Sequence, residues 1–90
     1  LSEHPKAIMK EITIGESCPA MGEKIVNLNF PKKAIIAMIV RDGNYITPNG
    51  LTEIKANDKL VVLTDKPEIL EKVYASLALS KSEALDGIED

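Results

Sequence analysis

Few residues in this chain have both the type and the setting to do chemistry. Arg41 is the only arginine among 90 residues, and it closes the most apolar stretch of the sequence. A guanidinium grips phosphate oxygens in bidentate fashion, so Arg41 is a candidate phosphate contact. Asn44 adds a hydrogen-bonding group three residues on, and Ile39, Ile46 and Pro48 offer apolar surface beside it for a base. The alternative is a strand-end arginine, paired with Asp42 or simply solvated. The other reactive types are isolated. His4 sits in a polar leader with no second histidine and no cysteine nearby, which makes it a solvated residue rather than a metal ligand. Cys18, the only cysteine, has no orienting base close to it in sequence. Asp65 and Glu68 have the spacing of a helix cap, and Lys32-Lys33 reads as a solvated loop. No nucleophile, base and acid set, paired carboxylates or phosphate loop can be assembled, so the chain does not read as an enzyme.

The elements that must hold these residues follow from hydropathy and turn chemistry. Residues 34–40, AIIAMIV, are apolar without interruption, and residues 60–63 form a shorter run of the same kind. A strand with one face in water alternates apolar and polar side chains. These do not, so both faces of their sheet are expected to be covered, one of them by another chain or domain. Residues 7–14 read as a first strand with Ile8, Ile12 and Ile14 on one face, broken by Gly15. A short helix is expected next: Ser17 or Cys18 caps it, Pro19 sits in its first turn, and Met21, Ile25 and Leu28 form its apolar stripe. Gly22 falls inside that helix, where a close approach to a strand would account for it. Asp42-Gly43 is the signal of a type I′ hairpin turn, which leads to a return strand over 45–47 stopped by Pro48. Asn49-Gly50 and Ala56-Asn57-Asp58 mark two further turns before the last strand, Leu60 to Thr64. Asp65 to Glu68 then caps a second helix carrying Ile69, Leu70, Val73, Tyr74 and Leu77. The expected fold is α+β: a mostly antiparallel sheet with two helices on one face, in the order β-α-β-β-β-α.

Charge narrows the possible partners. Residues 1–79 carry ten lysines and arginines against ten acids, and the last eleven residues hold the whole net charge of −3. A neutral body lacks the basic field that drives binding to a phosphate backbone, and two tyrosines and one phenylalanine give little for bases to stack on. Nucleic acid is therefore not expected as a partner. The seven-residue apolar run falls far short of the roughly 20 residues needed to span a bilayer. Residues 1–6 read as a leader or linker end, residues 7–79 as the domain, and residues 80–90 as an acidic tail or linker, too acidic and too poor in β-branched residues to supply another strand. The start at Leu1 reads as a piece cut from a larger protein.

The order of these features resembles the TrkA-C domain, the C-terminal half of the RCK regulator of potassium conductance. The resemblance is carried by Ala20-Met21-Gly22-Glu23-Lys24-Ile25-Val26-Asn27-Leu28, the apolar strand, Arg41-x-Gly43, Pro48, Leu51 and Asn57-Asp58-Lys59-Leu60. Two positions depart from the pattern. Glu23 separates Gly22 from Lys24, and Asn57 replaces the usual glycine before Asp58. Asparagine tolerates a left-handed turn, so the fold survives that change.

The resemblance implies a cytoplasmic regulatory domain of a potassium or cation transporter, with a cation/proton antiporter as the favoured host. It implies a homodimer binding a small nucleotide, cyclic di-AMP above all, near the dimer interface. Arg41, Asn44, Ile39, Ile46 and Pro48 are then the ligand residues, and Met21, Ile25, Ile36, Met38 and Val40 the dimer interface. No cofactor or metal is implied, and the host's membrane domain is the other partner. A ligand-free dimerisation module, an ACT-like small-molecule sensor, and attachment to a transcription regulator are the competing readings.

Overall fold

The strand-forming runs all become strands, because β-branched and aliphatic residues suit a pleated, covered surface. In the computed structural model, described over residues 6–79 and the backbone of 85–86, the strands are β1 (Ile8–Thr13), β2 (Ala34–Arg41), β3 (Asn44–Ile46) and β4 (Lys59–Thr64). A single α-helix, α1, spans Ile69–Ser76, and a two-residue strand, β5, spans Leu85–Asp86. The sheet order is β3-β2-β4-β1-β5 and every pairing is antiparallel. The segment expected to lack strand character thus supplies two paired residues, which need only backbone groups opposite Ile12 and Thr13. Apart from Lys6 and β5, the expected leader and tail lie outside the described residues.

The hairpin between β2 and β3 follows its turn residues. Asp42 and Gly43 both hold positive φ, 52° and 78°, and Arg41 pairs with Asn44 across a two-residue loop. Asn49 turns the chain as expected: its side-chain oxygen accepts from the Leu51 N–H, and its carbonyl accepts from the Thr52 N–H. Asn57 stands at φ 70°, the left-handed conformation that lets it replace glycine.

The first expected helix does not form. Within residues 14–26 the chain makes only isolated turns, Cys18 donating to Gly15, Met21 to Cys18 and Glu23 to Ala20, and the segment is otherwise tied to residues 50–58. Asn57 donates to the Ile14 carbonyl, Gly22 to Ile54, Ile54 to Glu23, Ile25 to Thr52 and Val26 to Gly50, all at 2.7–3.0 Å. Only a 3-10 turn at Ile25–Asn27 remains. The Met21, Ile25, Leu28 spacing is correspondingly not a buried stripe: Leu28 is buried, Ile25 half-buried and Met21 exposed. Gly22 is explained by its φ of 88°, not by a close contact, since nothing would lie within 4 Å of a Cβ there. The two accounts predict opposite signs for Gly22→Ala. In a helix interior it would stabilise by about 1 kcal/mol; at this φ it is expected to destabilise by about 1–2 kcal/mol, read by urea denaturation.

The second helix forms, but without the expected cap. It begins at Ile69, and neither Asp65 nor Glu68 makes a side-chain cap bond. Thr64 serves the entry instead: its hydroxyl donates to the Lys33 carbonyl and accepts from the Lys66 N–H, tying the end of β4 to the start of β2. The helix buries Ile69, Val73 and Tyr74, with Leu77 just beyond, against one face of the sheet. The rest of that layer comes from the irregular segments, through Cys18, Ala20, Leu28 and Ile54. The architecture is therefore α+β with one helix rather than two.

A bulge in β2 governs which residues share a face. Ile36 lies opposite Val62 and Met38 opposite Val61, so Ala37 is an extra residue on the β2 side. Before it, Ala34 and Ile36 face the core; after it, Ile39 and Arg41 do, while Met38 and Val40 turn to the outer face. The outer face carries an apolar patch, with Met9 and Ile35 exposed and Val61 and Leu63 half-buried, bordered by Glu11 and Lys59.

Candidate functional site

The β2–β3 hairpin brings Arg41 and Asn44 together as a cross-strand pair, and Ile39 and Ile46 as the next pair on the same face. Arg41 is already engaged, and not with its neighbour Asp42. Its Nε donates to Asp58 Oδ1 at 2.8 Å and its Nη2 to Asp58 Oδ2 at 2.7 Å, a bidentate pair. Nη2 also donates to the Glu53 carbonyl at 3.0 Å. Asp58 has no exposed surface and accepts in addition from the Lys55 N–H at 2.9 Å. The Arg41 guanidinium is held above its ordinary range, first by the hydrogen bond to Asp58 and then, after the opposing effect of burial, by the charge of that carboxylate. The partnership fixes the hairpin end to the 53–58 turn. Arg41 Nη1 makes no hydrogen bond among the described residues.

The remaining residues expected to meet a ligand divide. Asn44 is exposed, Ile46 and Pro48 are half-buried, and the three occupy alternate positions of one segment. Ile39 has no exposed surface and supports that strip from beneath. Pro48 also walls an open groove of about 250 Å³ with Ile25, Phe30, Ala34, Ile36 and Gly50. Sequence reasoning did not single out Phe30; it is the only phenylalanine, yet it sits in an apparent loop between Asn29 and Pro31.

The five expected interface residues do not form one surface. Ile25 and Ile36 line the groove, Met38 and Val40 lie on the outer face, and Met21 sits on the irregular segment. The bulge separates Ile36 from Met38, which no period-2 reading anticipates. Cys18 is buried, with its thiol donating to the Leu77 carbonyl at 3.4 Å. His4 lies outside the described residues. Among the described residues there is no cluster of metal-ligating side chains, and no helix is long and apolar enough to cross a membrane.

The arrangement is an α+β module with a charged hairpin end beside an apolar groove. The family profile of the TrkA-C domain matches residues 9–78, and the chain belongs to that family. It is 31% identical over 71 residues to the Trk system potassium uptake protein TrkA homolog of Archaeoglobus fulgidus, covering 77% of this chain. It is 30% identical over 74 residues to TrkA homolog 2 of Methanosarcina mazei, covering 80%. The chain spans only 16% of the length of either relative. Among solved structures, an RCK domain described "with cda" superposes at a TM-score of 0.64 and 25% identity, over 77% of this chain and 96% of that one. The RCK_C domain dimer of S. agalactiae BusR in complex with c-di-AMP superposes at 0.68 and 22% identity, over 88% and 99%. BusR in complex with its busA-promotor DNA superposes at 0.69 and 20%, over 89% of this chain and 41% of that one.

Proposed function

We propose that this chain is a ligand-sensing and dimerisation domain that regulates a potassium or cation transporter, with a cation/proton antiporter as host. In this reading it works as a homodimer on the cytoplasmic side of the membrane, over residues 7–79, and catalyses nothing. The observation that carries the reading is the hairpin end: a guanidinium with one uncommitted N–H edge, an exposed asparagine and a half-buried apolar strip stand together beside a groove.

Cyclic di-AMP suits that arrangement. Arg41 Nη1 and Asn44 meet the phosphates while Ile46 and Pro48 pack on adenine, with Ile39 behind them. Two copies related by a two-fold axis present the same groups to the two halves of a symmetric dinucleotide. Regulation follows if the dinucleotide binds one arrangement of the dimer more tightly than another, which shifts the host between states. A second reading, a sensor carried by a transcription regulator, is favoured by the likeness to BusR, a structure solved with promoter DNA. The same site serves both hosts.

Calorimetric titration with cyclic di-AMP, beside AMP and ATP, tests the ligand. One cyclic di-AMP per two chains is expected to bind saturably. Asn44→Ala, at an exposed turn position, is expected to weaken binding about ten-fold through loss of one hydrogen bond to a charged group. No heat with any nucleotide, from a protein that remains dimeric, would reduce the domain to an assembly module.

A further inference from the structure

Helix α1 and the irregular segments pack on one face of the sheet and leave the other uncovered among the described residues. The strand registers lay that outer face out in rows. Met9, Leu63 and Ile35 form one row, and Val61 and Met38 stand together in the next. Val40 and Tyr45 carry the patch on to the hairpin, where Tyr45 is 77% exposed. Apolar surface therefore runs diagonally across the sheet from Met9 to Tyr45, and a continuous patch of this kind marks a contact surface.

Among the described residues only two charges stand on this face, and they have opposite signs. Glu11 lies beside Val61 in the register, and Lys59 lies beside Val40. They are diagonal neighbours on adjacent strands, yet neither forms an ion pair among the described residues.

We propose that the outer face is a self-association surface, through which two copies of the chain pack sheet against sheet. Their two-fold axis lies in the contact plane, slanted across the Val61–Met38 pair. The charge pattern favours a second copy as the occupant. That axis exchanges Glu11 and Lys59, so each Glu11 meets the partner's Lys59 at the rim. It also lays Met9 and Leu63 over the partner's Val40 and Tyr45, apolar on apolar. The strands of the two copies then cross steeply, in the orthogonal manner of sheet packing.

This contact is separate from the sharing of a nucleotide. Arg41, Asn44 and Ile46 lie on the opposite face of the sheet, the side that carries α1. Packing through the outer face turns the two ligand strips away from each other, so no single dinucleotide can bridge them. The surface instead doubles whatever species the ligand holds together. Its small area places the association in the weak class, with a dissociation constant of about 10–100 μM.

Sedimentation of the 90-residue chain over a concentration series reaching about 1 mM reads the doubling. Glu11→Lys and Lys59→Glu each oppose like charges twice across the axis, and each is expected to weaken the association roughly ten-fold. The double variant keeps opposite charges paired and is expected to restore it, a rescue that misfolding cannot imitate. Met9→Lys, at a position 49% exposed, is expected to weaken it about 100-fold by forcing an ammonium against apolar surface. Lys66→Glu, an exposed reversal away from this face, is expected to leave it unchanged.

A wild type that never doubles would overturn the proposal. So would single variants without effect, or a double variant no better than the singles. Cyclic di-AMP bound at one per two chains, with no further doubling, sinks this seam and leaves the proposed function standing. A doubling lost in Met9→Lys and rescued in the charge swap, from a chain that binds no nucleotide, supports the seam without that function.

Discussion

Arg41→Ala is expected to cost about 3 kcal/mol of stability, the low end of the range for breaking a buried ion pair. Asp58 has no exposed surface, and the substitution leaves its carboxylate with only the Lys55 N–H. Arg41 retains 22% side-chain exposure, so water can approach the vacated side, which sets the estimate at the low end. Asp58→Asn keeps the shape, removes the buried charge and lets the guanidinium turn toward solvent. It is expected to cost about 1–2 kcal/mol, less than Arg41→Ala. Urea denaturation of both variants decides the order; Asp58→Asn as the costlier of the two would mean that the arginine, not the carboxylate, is the desolvated partner. The loss matters in a domain this small, where total stability is about 5 kcal/mol or little more. It follows that Arg41→Ala is a poor probe of nucleotide binding, because lost binding and lost folding would look alike.

The second large effect is expected at Leu60. It stands in β4 with Ile12 on one side and Ile39 on the other, and none of the three has exposed surface. Leu60→Ala is expected to cost about 3 kcal/mol, since neighbours held in three paired strands cannot collapse into the space. Val61→Ala, one residue on and pointing to the half-buried outer face, is expected to cost about 1 kcal/mol. Equal costs at the two positions would indicate that the outer face is covered as fully as the core, as in a tightly associated dimer packed through that face. Comparing the pair at high and low protein concentration would separate that case from a misassigned register.

The sheet was legible in the sequence because its signals are local. Asp42-Gly43 demands positive φ at both positions and so sets the register Arg41 to Asn44, and the unbroken apolar runs announce the strands themselves. The missing helix was not legible, because Met21, Ile25 and Leu28 have helical spacing by coincidence. What overrides it is a set of backbone bonds to residues 50–58 that no side-chain pattern reports. The Arg41–Asp58 pair joins positions 17 apart, and the sequence offered the adjacent Asp42 as the simpler partner. The bulge at Ala37 was equally hidden: alanine fits either face of a strand, so nothing in its type marks the change of parity that splits Ile36 from Met38 and Val40. Of the residues expected to meet a ligand, the hairpin puts Arg41, Asn44 and Ile46 on one face, while the full burial of Ile39 was not legible.

The zip between residues 14–26 and 50–58 is made of peptide N–H and carbonyl groups, which are the same whatever the side chain. That pairing is written in a chemistry that substitution does not edit, apart from the glycine and asparagine that its turns require and the buried Cys18, Ala20, Leu28 and Ile54 that seat it on the sheet. Such a layer can drift far in sequence and keep its shape. The exposed side chains it carries, Met21, Val26 and Leu51 among them, are then free to change without loss of that pairing.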